Sequence, residues 1–237
     1  MSENFSQTSF LLTNFLHEGA GISPDVRKQA SALSIELSRF MLQSPILPAT
    51  MEDVLRIKRV PHLVHFAAES EYEGFVEKYM VKAEKKALPV DSLLTSALNR
   101  GSQYNGPESE HDSTGLTIFP HGSNEATAVI IRKPDESTIS VNHFLNVLSE
   151  EMVHAAAPQA TFLKEAQRLF PHSKMTPLDF FELVGRWVKF EFLEKYNPAL
   201  ILPEEHDLLE AKKELGKQGT DFDAFKNLYL RGIYKAV

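Results

Sequence analysis

The sequence predicts an α+β fold, mostly helical, with a small three-stranded sheet or hairpin lying next to one chemically equipped helix. Three observations carry that expectation. Most of the chain spaces its apolar residues three and four apart, as amphipathic helices do. Only residues 116–141 gather short β-branched runs between turn residues. Between these regions, residues 101–114 are rich in Ser, Asn, Gly and acidic side chains, the composition of a long loop.

Taken in order, residues 1–22 read as a loosely ordered lead-in, and Ser23-Pro24-Asp25 marks a helix start with proline at the first helical position. That helix runs to about Gln43, where Pro45 and Pro48 interrupt the chain. Residues 50–59 and 61–87 continue the helical spacing, and Asp91 caps a short helix that ends near Gly101. Residues 23–100 therefore form an N-terminal helical layer, and 101–114 a loop. The region 115–237 opens with strands at 116–119, 126–133 and 138–141. Pro134-Asp135-Glu136-Ser137 folds the last two strands into a hairpin. Asn142 caps the next helix, which Pro158 ends, and further helices are expected at 160–170, 177–196, 203–215 and 221–234. The sequence has no internal repeat, and one compact domain is expected overall.

Bulk composition narrows the chemistry. The 25 Lys+Arg against 32 Asp+Glu give a formal net charge of −7 with no basic run, which argues against nucleic acid as principal partner. Without cysteine there are no disulfides, thiolate nucleophiles or thiolate ligands, so any metal must be held by N or O atoms. No apolar run approaches the roughly 20 residues that cross a bilayer, so no membrane partner is expected. The N-terminus carries Glu3 and no basic stretch, so the expected location is cytoplasmic, or exported without a Sec signal.

The most informative segment is Ser149-Glu150-Glu151-Met152-Val153-His154-Ala155. At about 100° per residue, Phe144, Leu148, Met152 and Ala155 fall on one apolar stripe; Glu151 flanks it, and His154 and Glu150 follow round the same side. A carboxylate and an imidazole four residues apart on a helix can converge on one cation. The ligand types suit zinc, and the carboxylates shift preference toward manganese or iron. Glu150 and Glu151 repel each other unless a cation or a proton compensates, and burial raises the pKa of one of them.

Other signals are weaker. His62 and His65, with Glu69, have metal-like spacing on a segment read as helix, but Glu71, Glu73 and Glu77 make it a solvated face. Glu151-x-x-His154 is half of a di-iron signature whose second copy is missing.

The run Thr127-Ala128-Val129-Ile130-Ile131-Arg132-Lys133-Pro134, followed by Ile139-Ser140-Val141-Asn142 and then by 148–155, resembles the zincin-type metallopeptidase domains of bacteria. In that family a hairpin leads into a helix bearing His-Glu-x-x-His-Ala, and the edge strand binds peptide substrate. The resemblance spans residues 127–155, and Glu150 stands where the family has its first histidine. It implies a zincin-like fold for 115–237, a peptide or protein substrate, and a divalent metal. Glu151 matches the general base, His154 the second ligand, and Glu150 a ligand position of altered chemistry. A third, acidic ligand is expected from a later helix. Projecting 177–196 puts Phe180, Val184, Trp187 and Val188 inward, with Glu191 among them, Glu182 on the opposite face and Glu194 at the edge. Glu191 is accordingly the expected ligand; its other reading is an ion pair with Arg186 or Lys195. The rival function is a metal-free pseudoenzyme on the same scaffold, acting as a protein-binding module or effector, favoured by loss of the first histidine.

Overall fold

A computed structural model describes residues 22–42, 64–85, 114–206 and 217–236, apart from positions 121, 125, 127, 135–138, 218 and 219. The elements are α1 (Pro24–Leu42), β1 (Val64–Ala67), α2 (Glu69–Lys85), β2 (Gly115–Ile118), β3 (Ala128–Arg132), α3 (Val141–Ala156), α4 (Gln159–Leu169), α5 (Pro177–Tyr196) and α6 (Thr220–Ala236), with 3-10 turns at Pro198–Leu200 and Pro203–His206. The architecture is α+β, mostly helical, around a three-stranded mixed sheet.

Strand β3 is central, with β1 parallel on one side and β2 antiparallel on the other. All five of its residues are buried, which explains its unbroken apolar run: a strand covered on both faces has no reason to alternate. Val129 and Ile131 join the main core, which includes Phe144, Leu148, Met152 and Val153 of α3 and Ala30, Leu33 and Leu37 of α1. Ala128 and Ile130 face the other way and pack with Tyr72 and Tyr79 of α2. Helices α4, α5 and α6 meet through stacked and edge-on rings of Phe162, Phe180, Phe181, Phe225 and Tyr229.

The sheet differs from the expected one in its partners. The antiparallel neighbour of 128–132 is the strand at 115–118; of the expected strand 138–141, Ile139 forms an isolated bridge and Val141 opens a helix, while residue 138 and positions 135–137 of the expected turn lie outside the described residues. The third strand is Val64–Ala67, in a segment whose spacing predicts helix. Four residues are too few to display a period, and this strand pairs with one more than sixty positions further along the chain. The cap of α3 is Ser140 rather than Asn142: its hydroxyl accepts from His143 N at 3.1 Å. Asn142 instead donates to the Ala199 carbonyl at 3.4 Å. Helix α5 starts at its predicted proline, behind a capping box made by Thr176 and Asp179. Of 203–215, the first four residues form a 3-10 turn; residues 207–215, the helices read at 50–59 and 91–101, and the lead-in 1–21 lie outside the described residues. Among the described residues no helix is long and apolar enough to cross a membrane.

Candidate metal centre

Helix α3 is covered on most sides, so its polar residues must find partners within the fold. Strand β2 closes one side. Thr117 pairs across the sheet with Val129, and side chains of paired residues share a face, so the Thr117 hydroxyl points at α3. It donates to Glu151 Oε2 at 2.5 Å. Two residues earlier on the same face is Gly115, where a Cβ would lie 2.4 Å from Val147 Cγ1 and 2.9 Å from Glu151 Cγ. The missing side chain is what lets the helix settle this close to the strand.

Helix α5 closes the other side. Glu150, His154 and Glu182 each offer one ligand atom, and these atoms lie within 4.8 Å of one another. His154 Nε2 is 3.1 Å from Glu182 Oε2 and 3.9 Å from Glu150 Oε1. The imidazole is 3% exposed and stacks on Phe181 at 5.1 Å between centroids. Its Nδ1 lies 3.3 Å from the Tyr229 hydroxyl of α6. Glu182 is within ion-pair distance of Nε2, but among the described residues no hydrogen bond of good geometry reaches that buried atom.

Charge in the site is arranged in two halves. Glu150 accepts from Lys189 Nζ at 2.5 Å and from Arg186 Nε at 3.1 Å. Lys189, buried in α5, also binds Glu205 and reaches Asn146 Oδ1 at 3.2 Å, while Asn146 donates to Glu205 at 2.7 Å. Burial alone would raise the Glu150 pKa, but Lys189, His154 and Arg186 outweigh it and hold the carboxylate well below its ordinary range. For Glu151 the balance is reversed. Burial raises its pKa to about 7 against the opposing pull of His154 and Thr117. For His154 burial favours the neutral ring, yet Glu182, Glu150 and Glu151 overcome it and raise the pKa to about 10. Tyr229 is pushed well up by burial and by the same carboxylates, so its phenol stays protonated.

Of the residues expected here, α3 brings Glu150, Glu151 and His154 together, whereas Glu191 is elsewhere. Its carboxylate accepts from Trp187 Nε1 at 2.7 Å and from Lys226 of α6. Glu182 takes the place expected of it. The two are nine residues apart, about 13 Å along the axis and half a turn round it. The expected inward stripe is Phe180, Val184, Trp187 and Val188, of which Phe180, Val184 and Val188 are buried. The buried face of α5 actually includes Gly185, Lys189, Phe192 and Leu193, so its centre is rotated by about 90° and Glu182 and Glu191 fall on opposite borders. The legible signal for Glu182 was the sequence Glu182, Gly185, Lys189: a gap and two charges on one helical stripe, unusual beside so many aromatic residues. His65 proves to be a β1 residue whose ring packs with Phe75 and Tyr79 at 5.2 and 4.8 Å.

The residues present fit a small divalent cation. One imidazole and two carboxylates are ordinary N and O donors for such an ion, and the buried Nε2, which lacks a hydrogen bond, is the nitrogen that would bind it. The Tyr229 contact at Nδ1 is of the kind that orients a ligating histidine. No protein-family model, curated protein or solved structure matches this chain.

Proposed function

We propose that the chain is a zincin-like metal-dependent hydrolase acting on peptide bonds, with His154, Glu182 and Glu150 as ligands and Glu151 as general base. The single observation that carries this reading is the buried Nε2 of His154, which no well-aligned hydrogen bond satisfies, converging with Glu182 and Glu150 beside a carboxylate whose pKa is about 7. A base works best when its pKa lies near the working pH, and the half-buried Glu151 meets that condition. A divalent ion bound by these residues would polarise a substrate carbonyl and acidify a water. Glu151 would take the proton of that water and return it to the departing amine. Thr117 holds the carboxylate in one orientation meanwhile, at 2.5 Å. Strand β2 is an edge of the sheet, and an extended peptide laid along it would pass Glu151, which contacts that strand.

A second reading, the metal-free protein-binding scaffold, is favoured by one observation: Lys189 and Arg186 already offset the charge of Glu150. Elemental analysis of untagged protein purified without chelator separates the two. The hydrolase reading expects stoichiometric metal in the wild type and in Glu151→Gln, its loss in His154→Ala, and a fall of roughly 100- to 10,000-fold in peptide cleavage for Glu151→Gln. Metal-free wild type, with a fold untouched by either substitution, leaves the scaffold reading.

A further inference from the structure

We infer that Tyr229 is a positioning residue for the metal centre: with a metal on His154 Nε2, the Tyr229 hydroxyl accepts the Nδ1–H and holds the ring so that Nε2 faces Glu182 and Glu150. The inference rests on the hydrolase reading and concerns which nitrogen of His154 is free to ligate.

A neutral imidazole donates at one nitrogen and accepts at the other, and the partner of the first decides which is free. The carboxylate of Glu182, 3.1 Å from Nε2, attracts a proton to that nitrogen, and a metal must displace it. An acceptor at Nδ1 lets the ring keep its remaining proton there once Nε2 ligates, and the Tyr229 oxygen stands at 3.3 Å. The phenol is fully buried, and its ring is wedged against Phe162 at 5.4 Å and Phe181 at 5.3 Å. Phenylalanine would fill that space without a buried hydroxyl to satisfy, so packing alone does not account for tyrosine.

Helix α5 keeps room for the pair. A Cβ on Gly185 would lie 2.3 Å from His154 Cε1, 2.7 Å from Nδ1 and 3.0 Å from the Tyr229 oxygen. The glycine thus clears the contact between the two rings, and the last helix supplies the atom that orients the first ligand.

The test uses the full chain loaded with Zn²⁺. Nitrogen NMR of the histidine side chains is expected to find His154 protonated at Nδ1 and zinc-bound at Nε2. Competition against a chromophoric chelator is expected to give Tyr229→Phe a 10- to 100-fold weaker zinc affinity than wild type, at a metal-free melting temperature within a few degrees. Ligation through Nδ1, or equal affinity in the variant, overturns the positioning role and leaves the hydrolase reading standing. A wild type that binds no zinc overturns both. If Tyr229→Phe fails to fold, the NMR assignment on wild type decides.

Discussion

His154 keeps its proton because three carboxylates surround a ring that water hardly reaches, and that proton is the main obstacle to a metal. Displacing it at pH 7 from a group with pKa about 10 weakens binding by roughly a thousandfold. Zinc affinity should therefore rise about tenfold per pH unit between pH 7 and 9, measured by chelator competition; a flat profile would show that the ring is neutral in the free protein. The same groups set the stability of the metal-free chain. His154 and Glu151 both have raised pKa values, so each contributes stability that is complete below its ordinary value of 6.5 or 4.5 and is lost as pH climbs through about 10 or about 7. Denaturant unfolding is thus expected to give a lower stability at pH 9 than at pH 6, with the difference reduced in His154→Gln. Glu182 and Glu191 separate the expected ligand from the observed neighbour. Glu182→Gln should weaken zinc binding at least tenfold. Glu191→Gln should leave it unchanged and cost about 1 kcal/mol or less, because its ion pair with Lys226 is partly solvated.

Helix α5 concentrates the consequences of a single face. Lys189 is 1% exposed and holds Glu150 and Glu205 together, so Lys189→Met leaves Glu205 without its ion-pair partner and Glu150 still paired with Arg186, and should cost at most about 3–5 kcal/mol. Adding Glu150→Gln and Glu205→Gln should recover part of that loss in thermal melts; no recovery would mean that Lys189 acts by packing alone. Gly185→Ala should destabilise by about 1–3 kcal/mol and disturb His154 first, since its new methyl meets that ring before anything else. The helix itself was legible: Thr176, Pro177 and Asp179 spell a capping box, and its start falls where they predict. Its orientation was not. A helix with aromatic residues on several sides has no single apolar stripe, so periodicity could not choose between the Glu182 border and the Glu191 border. Helix α3 is the opposite case: Glu150, Glu151 and His154 lie within one turn of each other, and their clustering follows from helical geometry alone.

At the scale of the molecule, the N-terminal and C-terminal parts are interleaved. Strand β1 hydrogen-bonds along β3, and Leu33 and Leu37 of α1 share the core of α3, with Ser34 Oγ reaching Met152 Sδ at 3.1 Å. Residues 101–237 expressed alone should therefore lack cooperative thermal unfolding, since β3 loses a neighbour and the core loses α1; a sharp transition in that fragment would show that the C-terminal part folds by itself. The sequence by itself determined the helical majority, the limits of α1, α4, α5 and α6 to within a residue or two, and the grouping on α3, because each is encoded in residues close along the chain. Only the tertiary structure decided that Val64–Ala67 is a strand, that β2 partners β3, and that Glu182, Tyr229 and Lys189 face His154 and Glu150. Those are contacts between distant segments, set by which surfaces bury one another rather than by any local spacing.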